Sequence, residues 1–436
     1  MIVLLYLFTV TTRLAVWVLR RIGKNGTALP GLWVERYAPG LIGQFARRYS
    51  HTILITGTNG KTTTQHALGA ILGESGYQVV HNASGSNMLR GIATTLMHAG
   101  PPHHKSVLLL EVEEGTMPRL TRHLQADVIV ITNLFRDQLD AYGELHTTSR
   151  YIRTACERCP DATLLINGDD PLVVDLVRAL PHRLVTYGIA PSYRTSMPYE
   201  GSVIESPKTV GARLIEIGAD LSSVITCDDL IDGKGSECLI HFQPPGIYNV
   251  YNALAAYSVG RLFHLSHRAI INAIEQVRAP YGRGEKVEFL HDGKPLSFHI
   301  FLVKNPAGFG QVWQLIRQIS DQNLIIGLND QIADGRDVSW IWDIDLEKSL
   351  PGAPSIHSIH FTGHRSYDMA TRFKYAEIRS SQTMIEPDIT RCIDSCISNP
   401  TQSGQYTVLV TYTAMNHVRH VLSKYTSIRS YSSTSL

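Results

Sequence analysis

The stretch Thr52-Ile53-Leu54-Ile55-Thr56-Gly57-Thr58-Asn59-Gly60-Lys61-Thr62-Thr63-Thr64 is an apolar run that breaks at a glycine turn and continues into a helix. Its first five residues read as a strand buried on both faces, because they are apolar without alternation. Gly57 and Gly60 permit the tight turn that follows. A helix opening there directs its unpaired backbone N–H groups at the turn, which makes an anion cradle of residues 57–63. Lys61 adds a point charge for the outer phosphates of ATP, and Thr62 a hydroxyl for its magnesium ion. The loop departs from the strict phosphate-loop pattern, since Ile55 stands where that pattern has its first glycine.

Three more runs of the same kind follow: Val107-Leu108-Leu109-Leu110, Val128-Ile129-Val130-Ile131-Thr132 and Thr163-Leu164-Leu165-Ile166. Together they predict an α/β fold with a parallel sheet covered by helices on both sides. Ligands bind such sheets at the carboxyl ends of the strands. Glu111, then Asn133 and Asp137, then Asn167 and Asp169 follow the three runs in turn. Glu111 is placed to reach the magnesium ion. From about 189 to 245, short β-like pieces are separated by Pro, Gly, Ser and Asp, which predicts an irregular β insertion. Residues 248–263 read as a helix. Beyond a boundary near Arg278-Ala279-Pro280-Tyr281-Gly282, a second α/β unit begins, with strands expected at 324–327, 358–361 and 407–410. The expected divisions are an apolar helical segment (1–45), a central ATP-binding domain (46–280), a C-terminal α/β domain (281–426) and a disordered tail (427–436).

A chain of 436 residues suits two or three domains. A net charge of +2 with no basic cluster gives no electrostatic case for nucleic acid. Six cysteines are too few for a disulfide scaffold at this length, and they fit a reduced, cytoplasmic setting. Cys156 and Cys159 lack the second pair that a four-thiolate zinc site needs. They read as two thiols on a helix before Pro160. Residues 1–19 are apolar, but Arg13 interrupts them and Arg20, Arg21 and Lys24 follow rather than precede them. That order argues against a secretory signal and against a span. A helix packed on the protein and one lying on the inner face of a membrane both fit.

These residues together resemble the Mur ligase superfamily, which joins amino acids to carboxylates through acyl phosphates. The glycine loop matches its nucleotide motif, and Glu111 its magnesium-binding glutamate. Asn249 and Asn252, in Gly246-Ile247-Tyr248-Asn249-Val250-Tyr251-Asn252-Ala253, match its helix near the adenine. Arg283 matches the linker arginine that reaches the phosphates when the C-terminal domain closes. The segments Asn133-Leu134-Phe135-Arg136-Asp137-Gln138-Leu139-Asp140, Lys304-Asn305-Pro306-Ala307-Gly308 and Asp334-Gly335-Arg336-Asp337-Val338-Ser339-Trp340-Ile341 are similar to the MurT branch. The resemblance runs from about residue 24 to about residue 413.

The resemblance implies a Mur ligase-type central domain with a mostly parallel sheet, and a C-terminal Rossmann-like domain. It implies ATP and Mg²⁺ as cofactors, and amidation of the α-carboxylate of D-isoglutamate in the lipid II stem peptide. Ammonia would come from a GatD-like glutaminase in a heterodimer, with Asp337 completing the partner's Cys-His pair. Two departures bear on this. Many members of the branch carry a four-cysteine zinc ribbon, whereas residues 189–236 here hold only Cys227, with Cys238 just beyond. No zinc ribbon is expected, and a hairpin should take its place. Second, amino-acid-adding relatives use a carbamylated lysine after the Asp137 motif. This chain has no lysine between Lys105 and Lys208. That counts against a ligase that adds an amino acid. The third reading, a nucleotide-binding scaffold without turnover, is opposed by Lys61, Glu111 and Arg283 together.

Overall fold

Nine strands build the larger sheet: β1 (His51–Thr56), β2 (Gln78–His81), β3 (Ser106–Glu111), β4 (Val128–Ile131), β5 (Thr163–Asn167), β6 (Leu184–Ile189), β7 (Val210–Ile217), β8 (Ser223–Asp229) and β9 (Ser236–Phe242). Their spatial order is β2-β3-β1-β4-β5-β6-β7-β8-β9. The pairings from β2 across to β7 are parallel, and β8 and β9 are added antiparallel. The computed structural model describes residues 29–82, 86–135, 145–194, 208–218, 222–278, 282–316, 322–347 and 356–426.

The unbroken apolar strands have a physical cause. Successive side chains of β1 point to opposite faces, and each face is covered. Ile53 and Ile55 pack with helices Lys61–Glu74 and Ile247–Leu262, through Leu68, Ile71 and Leu254. Leu54 packs on the other face with Leu108, Leu110 and Ile129. Each such fully buried side chain contributes about 1.5–3 kcal/mol. Helices Leu29–Tyr37 and Gly40–Ala46 send Val34, Ile42 and Phe45 into that second core. Residues 29–46 therefore pack as part of the central unit rather than as a separate segment. Residues 1–19 lie outside the described residues, and among those described no helix is long and apolar enough to cross a membrane.

The irregular insertion becomes the meander β7-β8-β9, which extends the sheet. The β8–β9 hairpin turns through Gly233 and Gly235, both at positive φ. Cys227 and Cys238 sit directly opposite in the register, with Cα atoms 5.3 Å apart, and form a disulfide. Antiparallel register brings these two residues, eleven apart in sequence, within bridging distance. Cys156 and Cys159 are buried free thiols; Cys156 lies on helix Leu145–Glu157, whereas Cys159 falls just past its end rather than on it. Burial pushes the Cys156 thiol up to about 12.

The smaller sheet comprises β10 (Arg283–His291), β11 (Lys294–Leu302), β12 (Gln322–Gly327), β13 (Ile356–Thr362), β14 (Ser380–Ile385) and β15 (Gln405–Val410), in the order β10-β11-β15-β12-β13-β14. Only β10 runs antiparallel to its neighbour. The β10–β11 hairpin turns at Asp292-Gly293, both at positive φ. That dipeptide is a strong hairpin signal.

Candidate active site

The glycine loop is held in shape by the end of β4. Gly57 has φ 121°, and a Cβ there would meet Thr132 Oγ1 at 2.3 Å and the Asn133 carbonyl at 2.7 Å. Asn133 clamps the loop. Its carbonyl accepts from Thr58 N at 3.0 Å, its Oδ1 from Asn59 N at 2.9 Å, and its Nδ2 donates to the Asn59 carbonyl at 3.0 Å. Thr132 Oγ1 donates to the same carbonyl at 2.7 Å. Gly60, at φ 89°, begins the helix with no side-chain cap, so the first-turn N–H groups face the loop. Thr63, in that first turn, contributes to the cleft wall described below.

Two carboxylates meet the loop. Lys61 Nζ lies 3.1 Å from Glu114 Oε1 and also donates to the Gly57 and Thr58 carbonyls. Both side chains are about nine-tenths buried, so this pair is screened little by solvent. Thr62 Oγ1 donates to Glu111 Oε2 at 2.8 Å. Asn82 fixes the Glu111 backbone from both sides, with Oδ1 accepting from its N–H and Nδ2 donating to its carbonyl. Neighbouring oxygen ligands of octahedral Mg²⁺ stand about 2.9 Å apart. The Thr62–Glu111 spacing and its all-oxygen donor set fit that ion.

Asn249 and Asn252 are both buried on helix Ile247–Leu262. Asn252 Oδ1 accepts from Thr64 Oγ1 at 3.3 Å, and its Nδ2 donates to Asn249 Oδ1 at 2.8 Å. A Cβ on Gly60 would meet Asn252 Oδ1 at 2.3 Å. Asn252 therefore touches the loop, and Asn249 braces Asn252. Asn167 Oδ1 accepts from Asp169 N at 3.0 Å. The Asp169 carboxylate is fully enclosed by Arg194 at 3.1 Å, Lys208 at 2.9 Å and the Tyr251 hydroxyl at 3.0 Å. This network ties β5 to the chain around β6 and β7, which is a packing role rather than a nucleotide contact. Asp137 lies outside the described residues.

A cleft of about 480 Å³ opens between the two sheets. The loop side supplies Asn59, Gly60, Thr63 and Asn252, and the C-terminal side supplies Arg283, Lys304 and Asn305. Arg283 begins β10. Burial raises the Tyr248 phenol above its ordinary value, the Arg283 charge opposes that shift, and both side chains line the cleft. Asn305 Oδ1 accepts from Gly308 N at 2.7 Å and so caps helix Pro306–Ile316. Residues scattered through the sequence are joined here. Sequence reading missed Glu114, three residues after Glu111, and Tyr248, next to Asn249.

Asp337 faces outward. It is exposed, and hydrogen bonds from the Ser339 side chain and backbone hold its carboxyl below the ordinary value. Ile332 and Trp342 are exposed at 81% and 51% on the same segment. The neighbouring Asp334 is buried instead, accepting from Thr413 N and Thr413 Oγ1. The turn Ser339–Asp343 packs against helix Pro306–Ile316, which also lines the cleft.

Comparison with known proteins adds two family matches. Residues 55–260 match the Mur ligase middle domain, and residues 302–415 match the MurT ligase C-terminal domain. The chain is 30% identical over 442 residues to the Streptococcus pneumoniae protein named lipid II isoglutaminyl synthase (glutamine-hydrolyzing) subunit MurT, covering 95% of this chain and 96% of that one. The protein of the same name from Staphylococcus aureus is 30% identical over 392 residues, covering 85% and 87%. Among solved structures, MurF ligase from Thermotoga maritima in complex with ADP superposes with a TM-score of 0.67 at 14% identity, covering 91% of this chain and 84% of that one. That last likeness is one of fold.

Proposed function

The chain belongs to the MurT family of Mur ligases, and from that premise we propose that it uses ATP to amidate the α-carboxylate of D-isoglutamate in the lipid II stem peptide. The observation that carries this reading is the cleft itself. The Lys61–Glu114 and Thr62–Glu111 pairs stand at the loop, and Arg283 faces it from the other unit.

The ATP phosphates lie on the loop N–H groups and the start of helix Lys61–Glu74. Lys61 exchanges its Glu114 contact for the outer phosphates and offsets charge on the transferring phosphoryl group, with Arg283 on the opposite side. Thr62 and Glu111 would hold the Mg²⁺, which would supply further charge neutralisation. The substrate carboxylate oxygen attacks the γ-phosphorus, ADP leaves, and an acyl phosphate forms. Ammonia then attacks the acyl carbon, phosphate departs, and the nitrogen sheds a proton to leave the amide. Asn252 and Tyr248 form the wall beside the nucleotide, while Lys304 and Asn305 form the wall beyond it.

The ammonia comes from a GatD-like glutaminase bound in a heterodimer. Asp337 supports that part of the reading, because it is ionised, exposed and flanked by exposed Ile332 and Trp342. A carboxylate so placed orients a catalytic histidine in the partner and stabilises its imidazolium form. The residue divisions 46–280, with the helices of residues 29–46 packed on its core, and 281–426 describe the two catalytic halves. A lipid-linked substrate would bring the reaction to the inner face of the membrane that holds it.

The test is reconstitution with a glutaminase encoded beside this chain. Incubation with ATP, lipid II and amide-labelled glutamine should place the label in D-isoglutamine and release one phosphate per amide. Incorporation of an added amino acid in place of ammonia would overturn the proposal.

A further inference from the structure

Helix Ile389–Ser398 packs on β13 in the C-terminal unit, and none of its residues lines the cleft. Cys392 and Cys396 are one helical turn apart, so both thiols face one way. Both are buried. His360 and Thr362 are two residues apart on β13 and share a face of the sheet. One ligand atom from each of His360, Cys392 and Cys396 lies within 4.8 Å of the other two. Cys396 Sγ stands 3.7 Å from His360 Nδ1. Thr362 is fully buried, and its hydroxyl has no oxygen or nitrogen partner.

Tetrahedral zinc, with Zn–S of about 2.3 Å and Zn–N of about 2.1 Å, sets its ligands about 3.6–3.8 Å apart. The Cys396–His360 spacing has that value already, and rotation of the side chains can close the rest. Two thiols and an imidazole form a donor set that favours zinc over magnesium or calcium. Buried cysteines on a helix also serve as plain core packing. A histidine nitrogen and an unsatisfied hydroxyl on the same face of β13 distinguish this cluster from such packing. Cys156 and Cys159 provide the contrast. They are equally buried, but His182 Nε2 meets their carbonyls rather than their sulfurs.

We propose that His360, Cys392 and Cys396 form a buried site for one thiophilic divalent metal ion, zinc foremost, with the Thr362 hydroxyl closing the fourth position. Binding releases the two thiol protons to solvent and involves no electron transfer. The ion ties helix Ile389–Ser398 to β13 beneath the loops that carry Asp330 and His364. It is a structural site, independent of the ligase reading.

The full chain, stripped with a chelator, is titrated with Co²⁺ as a spectroscopic probe and then with Zn²⁺. A thiolate-to-cobalt charge-transfer band should saturate at one equivalent and vanish on adding one equivalent of zinc. The band should be absent when Cys392→Ser is combined with Cys396→Ser, and retained when Cys156→Ser is combined with Cys159→Ser. His360→Gln should weaken metal affinity by at least about 100-fold. No band in the unsubstituted chain overturns the proposal, as does a band that survives loss of Cys392 and Cys396. Unchanged affinity in His360→Gln does the same, and that variant decides the matter should the cysteine pair prove necessary for folding.

Discussion

The carboxyl edges of the two sheets carry acids of opposite bearing. On the larger sheet, Glu111, Glu114 and Asp169 turn inward, are more than nine-tenths buried, and meet Thr62, Lys61 and the Arg194–Lys208 pair. On the smaller sheet, Asp337 turns outward on the segment that also exposes Ile332 and Trp342. An inward carboxylate in low dielectric acts strongly on whatever small charged ligand displaces its partner. An outward carboxylate beside exposed apolar side chains suits another protein's surface. The same residue type thus serves two kinds of work, and the direction it faces separates them.

Five substitutions bear on that contrast. The largest effect is expected at the outward edge. Asp337→Asn should lower glutamine-dependent amidation by about 10⁴-fold, as when the aspartate behind a catalytic histidine is neutralised. Turnover with free ammonia should be unchanged. Equal loss with both nitrogen donors would move Asp337 into the ligase chemistry and dissolve the contrast.

At the inward edge, Lys61→Ala should cost about 10²–10³-fold in turnover with either donor. It also leaves the Glu114 carboxylate buried and unpaired, at about 3–5 kcal/mol of stability. Adding Glu114→Gln should restore the thermal midpoint without restoring phosphate release. A double variant that recovers activity would show that Lys61 serves packing alone. Glu111→Gln should raise the Mg²⁺ concentration for half-maximal turnover by about 10- to 100-fold. A magnesium titration that overlays the unsubstituted chain would remove Glu111 from the metal site.

The smallest effect belongs to Trp342→Ala. It should weaken the glutaminase complex by about 2 kcal/mol, roughly 30-fold in Kd, measured by calorimetry. Ammonia-driven turnover should stay as it was. Undiminished partner affinity would place the docking surface elsewhere on the chain.

Much of the larger sheet is legible in the sequence because its signals are local. β1, β3, β4 and β5 each announce themselves as short apolar runs, and the glycine loop by its own spacing. The edge strand β2 does not, since Gln78-Val79-Val80-His81 is only partly buried and reads as either strand or loop. The insertion was legible as β structure with a hairpin; the parallel pairing of β7 beside β6 was not, since no local turn sets it. Among candidate site residues, Thr62, Glu111, Asn133 and Asn252 come together at the loop. Asp169 carries the right residue type at a strand end, yet Arg194 and Lys208 claim it. No local pattern could reveal that competition.

The sequence by itself determined the buried parallel strands, the phosphate-binding turn and the acids that follow each strand. Hydrophobic period and turn chemistry act over a few residues, so they are written where they act. Only the tertiary structure decided that Glu114 holds Lys61 across 53 residues, that Asn252 meets Gly60, and that Asp337 faces solvent. Those outcomes depend on which distant segments the two packed cores bring together and which carboxylates the packing leaves in water.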